Sequence, residues 1–143
     1  MSVDAGLELI FCENTPVGTI LRHLLRADWR GVDEAALEVT SLEDDGATVS
    51  LLLKSLERDA TALDLRLARG ESFAITMLWG SSKHGGEFIF TLRDRVIFSP
   101  TIERLTLGRR VSDVTWYLAR ILVPATTSDG SILVATWTWR ESG

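Results

Sequence analysis

Residues Glu71 to Ser99 read ESFAITMLWGSSKHGGEFIFTLRDRVIFS, and the fold class is decided there. Phe73, Ile75, Met77 and Trp79 share one face of a period-two pattern, the mark of a strand half-buried on a core. Beyond the glycine-rich break Gly80 to Gly86, Phe88, Phe90 and Leu92 repeat the alternation, and Val96-Ile97-Phe98 forms a third apolar run after Arg93-Asp94-Arg95. Four of the five phenylalanines lie in this stretch, so it predicts three neighbouring strands in the middle of a sheet.

On the N-terminal side, Leu7 to Cys12 reads as a first strand. Asn14-Thr15-Pro16 then predicts a helix start, with Thr15 as N-cap and Pro16 at the first helical position, running to about Ala27. Val17, Ile20, Leu21, Leu24 and Leu25 supply its apolar stripe. Asp28 to Asp33 reads as a connection with Trp29 over the edge of the core. Ala36 to Leu42 and Ala47 to Leu53 read as a hairpin whose turn holds Asp45-Gly46. Ser55 to Gly70 fits two patterns. Leu56, Ala60, Leu63 and Leu67 recur at helical spacing, whereas Leu63, Leu65 and Leu67 alternate as a strand would; a Ser55 cap, a terminal Gly70 and the length favour helix.

On the C-terminal side, Thr101 to Leu107 is read as a short strand or an irregular crossing, and a second clear helix follows. Ser112 is its expected N-cap, Asp113 lies in its first turn, Val114, Tyr117, Leu118, Ile121 and Leu122 form its stripe, and Pro124 is expected to stop it. Ser131 to Arg140 reads as a final strand, apolar enough on both faces to be central, or else with an aromatic face awaiting a partner. The order predicts one α+β domain over residues 1–143, a mainly antiparallel sheet of about six or seven strands with two or three helices packed on it.

The 143 residues suffice for a core without disulfide or metal, since a chain of this size buries about 68–70% of its unfolded surface. No apolar run reaches the roughly 20 residues of a membrane span. The first residues lack the pattern of a secretory signal, and the expectation is a cytoplasmic protein. Cys12 is the lone cysteine and reads as a small buried hydrophobe. The net charge of −5 is uneven: residues 1–49 carry ten acids against three bases. Such a segment repels nucleic-acid phosphate and steers basic protein surfaces towards itself.

Motifs for nucleophilic, phosphate-binding, dinucleotide-binding or metal chemistry are missing from the sequence, and only His23 and His84 are available as imidazoles. No catalytic residue, metal or cofactor is assigned. Lys83-His84-Gly85-Gly86-Glu87 is the one local candidate for acid–base work or a small ligand pocket, with Glu87 and Glu103 as further polar contacts. Arg104, Arg109 and Arg110 do not interleave with Trp137 and Trp139 as a nucleic-acid stripe requires.

The strings DDGATVSLLLKSLERD and SFAITMLWGSSKHGGEFIFTLRD, followed by VSDVTWYLARIL, resemble in their layout the small immunity proteins of bacterial polymorphic-toxin systems, over roughly Ala36 to Val123. The resemblance rests on element order, the Asp-Gly turn, the paired glycines after His84 and the acidic balance. It implies a cytoplasmic, non-catalytic protein that neutralises a cognate toxin. Charge and hydropathy predict neither nucleic acid nor membrane as a partner, and the sequence leaves monomer and homodimer open. Against a basic nuclease, the acidic residues Asp33, Glu34, Glu38, Glu43, Asp44 and Asp45 would mimic phosphate. Trp29, Trp79, Trp137 and Trp139 are the candidate anchors, with Trp137 and Trp139 placed in the expected binding set. The alternatives are a small enzyme or ligand-binding domain with a pocket near His84, and a phage or accessory protein-interaction module.

Overall fold

The computed structural model describes residues 5–12, 15–43, 46–92, 94–107, 111–127 and 133–141. The central stretch forms strands β5 (Phe73–Trp79), β6 (Gly85–Leu92) and β7 (Arg95–Ile102), each hydrogen-bonded to the next. Their apolar parity is kept in register: Phe73 lies opposite Phe90, Ile75 opposite Phe88, and Phe88 opposite Phe98. All of these side chains are buried on one face. Outward from them run β1 (Ala5–Phe11), β2 (Trp29–Arg30), β3 (Ala36–Ser41), β4 (Thr48–Leu52) and β10 (Val134–Glu141). The antiparallel order is β10-β1-β7-β6-β5-β3-β4, with short β2 pairing β5. A separate two-stranded ribbon joins β8 (Thr106–Leu107) to β9 (Val111–Ser112). The α+β class is as expected, and the sheet of eight strands is one larger than the sequence suggested.

Three helices cover one face: α1 (Val17–Arg26), α2 (Leu56–Ala68) and α3 (Val114–Thr127). Their buried stripes join the same apolar cluster as Leu7, Leu9, Leu37, Val39 and the central aromatics. The Ser55 to Gly70 region is therefore helical, preceded by a short 3-10 turn at Leu53–Ser55. It ends in a Schellman arrangement: Gly70 at φ +78° donates to the Leu67 carbonyl and Glu71 donates to that of Arg66. Helix α1 lies against α2 where Gly18 meets Ala60.

Several local expectations are corrected. Thr15 does not cap α1, because its hydroxyl donates to the Cys12 carbonyl at 2.6 Å and Pro16 takes the cap position. The first amide of the helix, that of Val17, is instead satisfied from outside the helix by Asp64 of α2 at 2.9 Å. In α3, Asp113 rather than Ser112 supplies the cap, accepting from the Trp116 amide at 3.1 Å; Ser112 is buried in β9. Pro124 does not end α3. A proline there removes the donor to the carbonyl four residues back, that of Arg120, and the indole Nε1 of Trp29 donates to it at 2.9 Å. Trp29 is therefore no partner anchor: it is 1% exposed and set edge-on to Phe88 and Phe98. Trp79 is also occupied, its Nε1 donating to the Ala27 carbonyl at 2.8 Å.

The paired glycines after His84 are not loop residues. Gly85 and Gly86 lie inside β6, where a Cβ would collide with the carbonyl oxygens of Met77 and Ser99 respectively. Glycine is required there by close strand approach at the irregularity between Gly85 and Glu87. Pro100, opposite that point, lies within β7 but beyond its pairing with β1. The final strand is an edge, not a central strand, since among the described residues β10 pairs only with β1. The turn residues Asp44 and Asp45, and Arg109 and Arg110, lie outside the described residues.

Candidate protein-binding surface

With the three helices on one face, the opposite face of the sheet carries the other parity of every strand. One row crosses it in unbroken register: Thr48, Thr40, Ala74, Ile89, Ile97, Glu8 and Thr138. The next row alternates hydroxyl and carboxylate. Ser50 lies opposite Glu38 and Thr76 opposite Glu87, which in turn faces Ser99. The open face thus has an apolar centre at Ala74, Ile89 and Ile97, the latter two half-buried, bordered by a row that accepts hydrogen bonds and repels anions.

Towards the β4 edge the row meets a groove of about 400 Å³ lined by Val32, Asp33, Ala36, Glu38, Ser50 and Thr76. Its wall is built by backbone geometry. Gly31 passes so close to the Ala36 carbonyl that a Cβ would come within 2.5 Å of it, and the chain then turns at Asp33. The Asp33 carboxylate accepts from the Ala35 amide at 2.9 Å, which fixes its side chain at the rim. Val32 is 62% exposed beside it, and Glu34 and Glu38 are exposed as well. The neighbouring cation Arg30 turns its Nε to the Gly80 carbonyl. An apolar wall next to two carboxylates suits a lysine or arginine side chain, whose stem lies on Val32 and Ala36 while its head meets Asp33 and Glu38.

The remaining members of the expected set lie elsewhere. Glu43 sits at the far end of the hairpin, about 17 Å along the strand from Glu38, and accepts from the Ser72 amide at 3.3 Å. Trp137 and Trp139 belong to β10, at the opposite edge from β4, roughly 29 Å away by strand spacing. They lie opposite Leu9 and Leu7 and so face the helical side. Trp139 is stacked on Tyr117 with ring centroids 5.8 Å apart, while Trp137 is 47% exposed. Acidic residues and tryptophans therefore do not form one patch. Glu87 and Thr76, which do belong to the acidic face, follow from parity alone: each alternates with the aromatic residues of its own strand.

Around His84 the geometry is that of a tied loop. Its Nδ1 donates to the backbone carbonyl of Glu103 at 2.5 Å, and its ring meets Trp116 edge-on. Arg120 lies between the Trp79 and Trp116 rings, 4.5 and 4.3 Å from their centroids, and clamps the loop to α3. Glu103 contributes a carbonyl here, and Glu87 faces Thr76 and Ser99 on the open sheet. Cys12 follows β1 near Arg95, whereas His84 precedes β6 near Ile102, so the two stand at opposite ends of β7. Among the described residues no three His, Cys, Asp or Glu side chains converge as metal ligands, and no helix is long and apolar enough to cross a membrane. Compared with family models, curated proteins and solved structures, the chain matches none.

Proposed function

We propose that this chain is a non-catalytic, immunity-type protein that binds and neutralises a cognate toxin, a basic nuclease on this reading, through the acidic part of its open sheet face. The observation that carries the proposal is the groove in which Asp33 and Glu38 flank Val32 and Ala36, continued across the sheet by Glu87. A basic partner would be drawn there by long-range attraction and anchored by the apolar centre at Ile89 and Ile97. Occupying the toxin's phosphate-binding site, the carboxylates would stand where nucleic-acid phosphates belong.

Co-expression tests the reading. The protein encoded beside this chain's gene should arrest growth alone, and the wild-type chain should restore growth. The Asp33→Lys/Glu38→Lys double variant should fold and fail to restore it. A neighbour that is harmless alone, or a variant that protects as well as wild type, would overturn the proposal.

A further inference from the structure

Among the described residues, strand β10 ends the sheet without a strand paired on its outer side. Edge strands are normally blunted by charge, proline or irregularity, because their unpaired N–H and C=O groups recruit other chains. Here the residues Val134 to Trp139 carry neither charge nor proline. The one irregularity lies at the start, where the register with β1 shifts between Ile10 and Phe11 opposite Thr136 and Val134. From Thr136 to Arg140 the strand is regular, and Thr136, Trp137, Thr138 and Arg140 are exposed. That five-residue segment is centred on Thr138.

We infer that β10 is a homodimer interface, in which two copies pair antiparallel about a two-fold axis at Thr138 and join their sheets. Antiparallel addition continues the pattern of every other pair in the sheet. Centring on Thr138 places Trp137 opposite Trp139 of the partner subunit on the helical side, covering the 47% of Trp137 that is exposed. Arg140 then lies opposite Thr136 of the partner subunit, so no like charges face each other. The acids beside this segment are both engaged: Glu141, next to Arg140 in β10, accepts from the Ser112 amide at 2.7 Å, and Glu8 on β1 is paired with Arg95 at 3.9 Å. The other edge, β4, is equally free of charge but lies beside Asp33 and Glu38, so pairing two copies there would bring their acidic grooves together. Charge therefore selects β10, and a dimer formed there leaves both grooves open. The inference stands on β10 alone and does not depend on what the groove binds.

Light scattering and cross-linking test it. The wild-type chain should have twice the monomer mass, and Trp137→Lys should halve that mass with unchanged circular dichroism. In a Cys12→Ser background, Thr138→Cys should give a disulfide-linked dimer under mild oxidation, because residues directly opposite across a two-fold lie within disulfide reach. Val49→Cys on β4 should not. A wild-type chain that stays monomeric at millimolar concentration, a dimer that survives Trp137→Lys, or cross-linking at Val49→Cys in preference to Thr138→Cys would each overturn the inference.

Discussion

Gly86 shows how much one absent methyl decides. A Cβ there would occupy the position of the Ser99 carbonyl, so β6 and β7 could keep their pairing only by shifting apart. Gly86→Ala should cost about 3 kcal/mol, read from the midpoint of urea unfolding, whereas Gly46→Ala should cost only about 1 kcal/mol through its positive φ, because open space surrounds it. Both glycines read as turn residues in the sequence, and spacing could not separate them, since close approach of a neighbouring strand leaves no local signature. Tyr117 makes a second residue-scale case. Its hydroxyl accepts from the Leu105 amide at 3.0 Å, and burial raises the phenol above its ordinary value, with that hydrogen bond and Arg104 opposing. The native state thus holds the phenolic proton more tightly than the unfolded chain does. Stability contributed by Tyr117 is present below pH of about 10 and is lost as pH rises beyond it. Tyr117→Phe should flatten the alkaline limb of a stability-against-pH curve while lowering stability by about 1–2 kcal/mol at neutral pH.

At the scale of elements, the two long-helix corrections share a cause: the missing hydrogen-bond partner came from far along the chain. Asp64 serves the first amide of α1 across a separation of 47 residues, and Trp29 serves the Arg120 carbonyl orphaned by Pro124 across 91. Asp64→Ala should lower stability by about 1 kcal/mol, and Asp64→Asn, which keeps an acceptor oxygen, by less; thermal unfolding distinguishes them. Trp29→Phe keeps a ring but loses the donor, and the Pro124→Ala change should partly rescue it by returning an N–H to that carbonyl. A double-mutant cycle measures this coupling, and strict additivity would count against it. Local rules found where α1 and α3 begin and which faces they bury, because periodicity and polar starts are written in consecutive residues. They misplaced the capping atoms and the end of α3, because those depend on contacts that folding creates.

For the molecule as a whole, alternation in β5, β6 and β7 was enough to read the class, the antiparallel sheet and the central aromatic layer. Which strands became edges was not legible: β10 looked central because Trp137, Trp139 and Val134 are apolar, yet Trp139 is covered by Tyr117 while Trp137 is left 47% exposed. The placement of the candidate residues was legible in part. Asp33 and Glu38 meet at one groove with Glu34 exposed in the adjoining turn, but proximity in sequence also drew in Glu43, and composition drew in two tryptophans from the opposite edge. Only the strand order could separate them. Helices on one side of the sheet leave the acidic face open, and titration of the purified neighbouring-gene product against three forms of the chain tests whether that face binds it. Asp33→Lys/Glu38→Lys should weaken binding at least about tenfold, since a close interfacial charge pair contributes upward of about 1.5 kcal/mol, and should flatten the salt dependence of association. Glu57→Lys, one such charge reversal on the helical side where Glu57 meets Arg22, should leave affinity within about twofold. Equal losses from both variants, or none from the groove pair, would overturn the binding role of the acidic face.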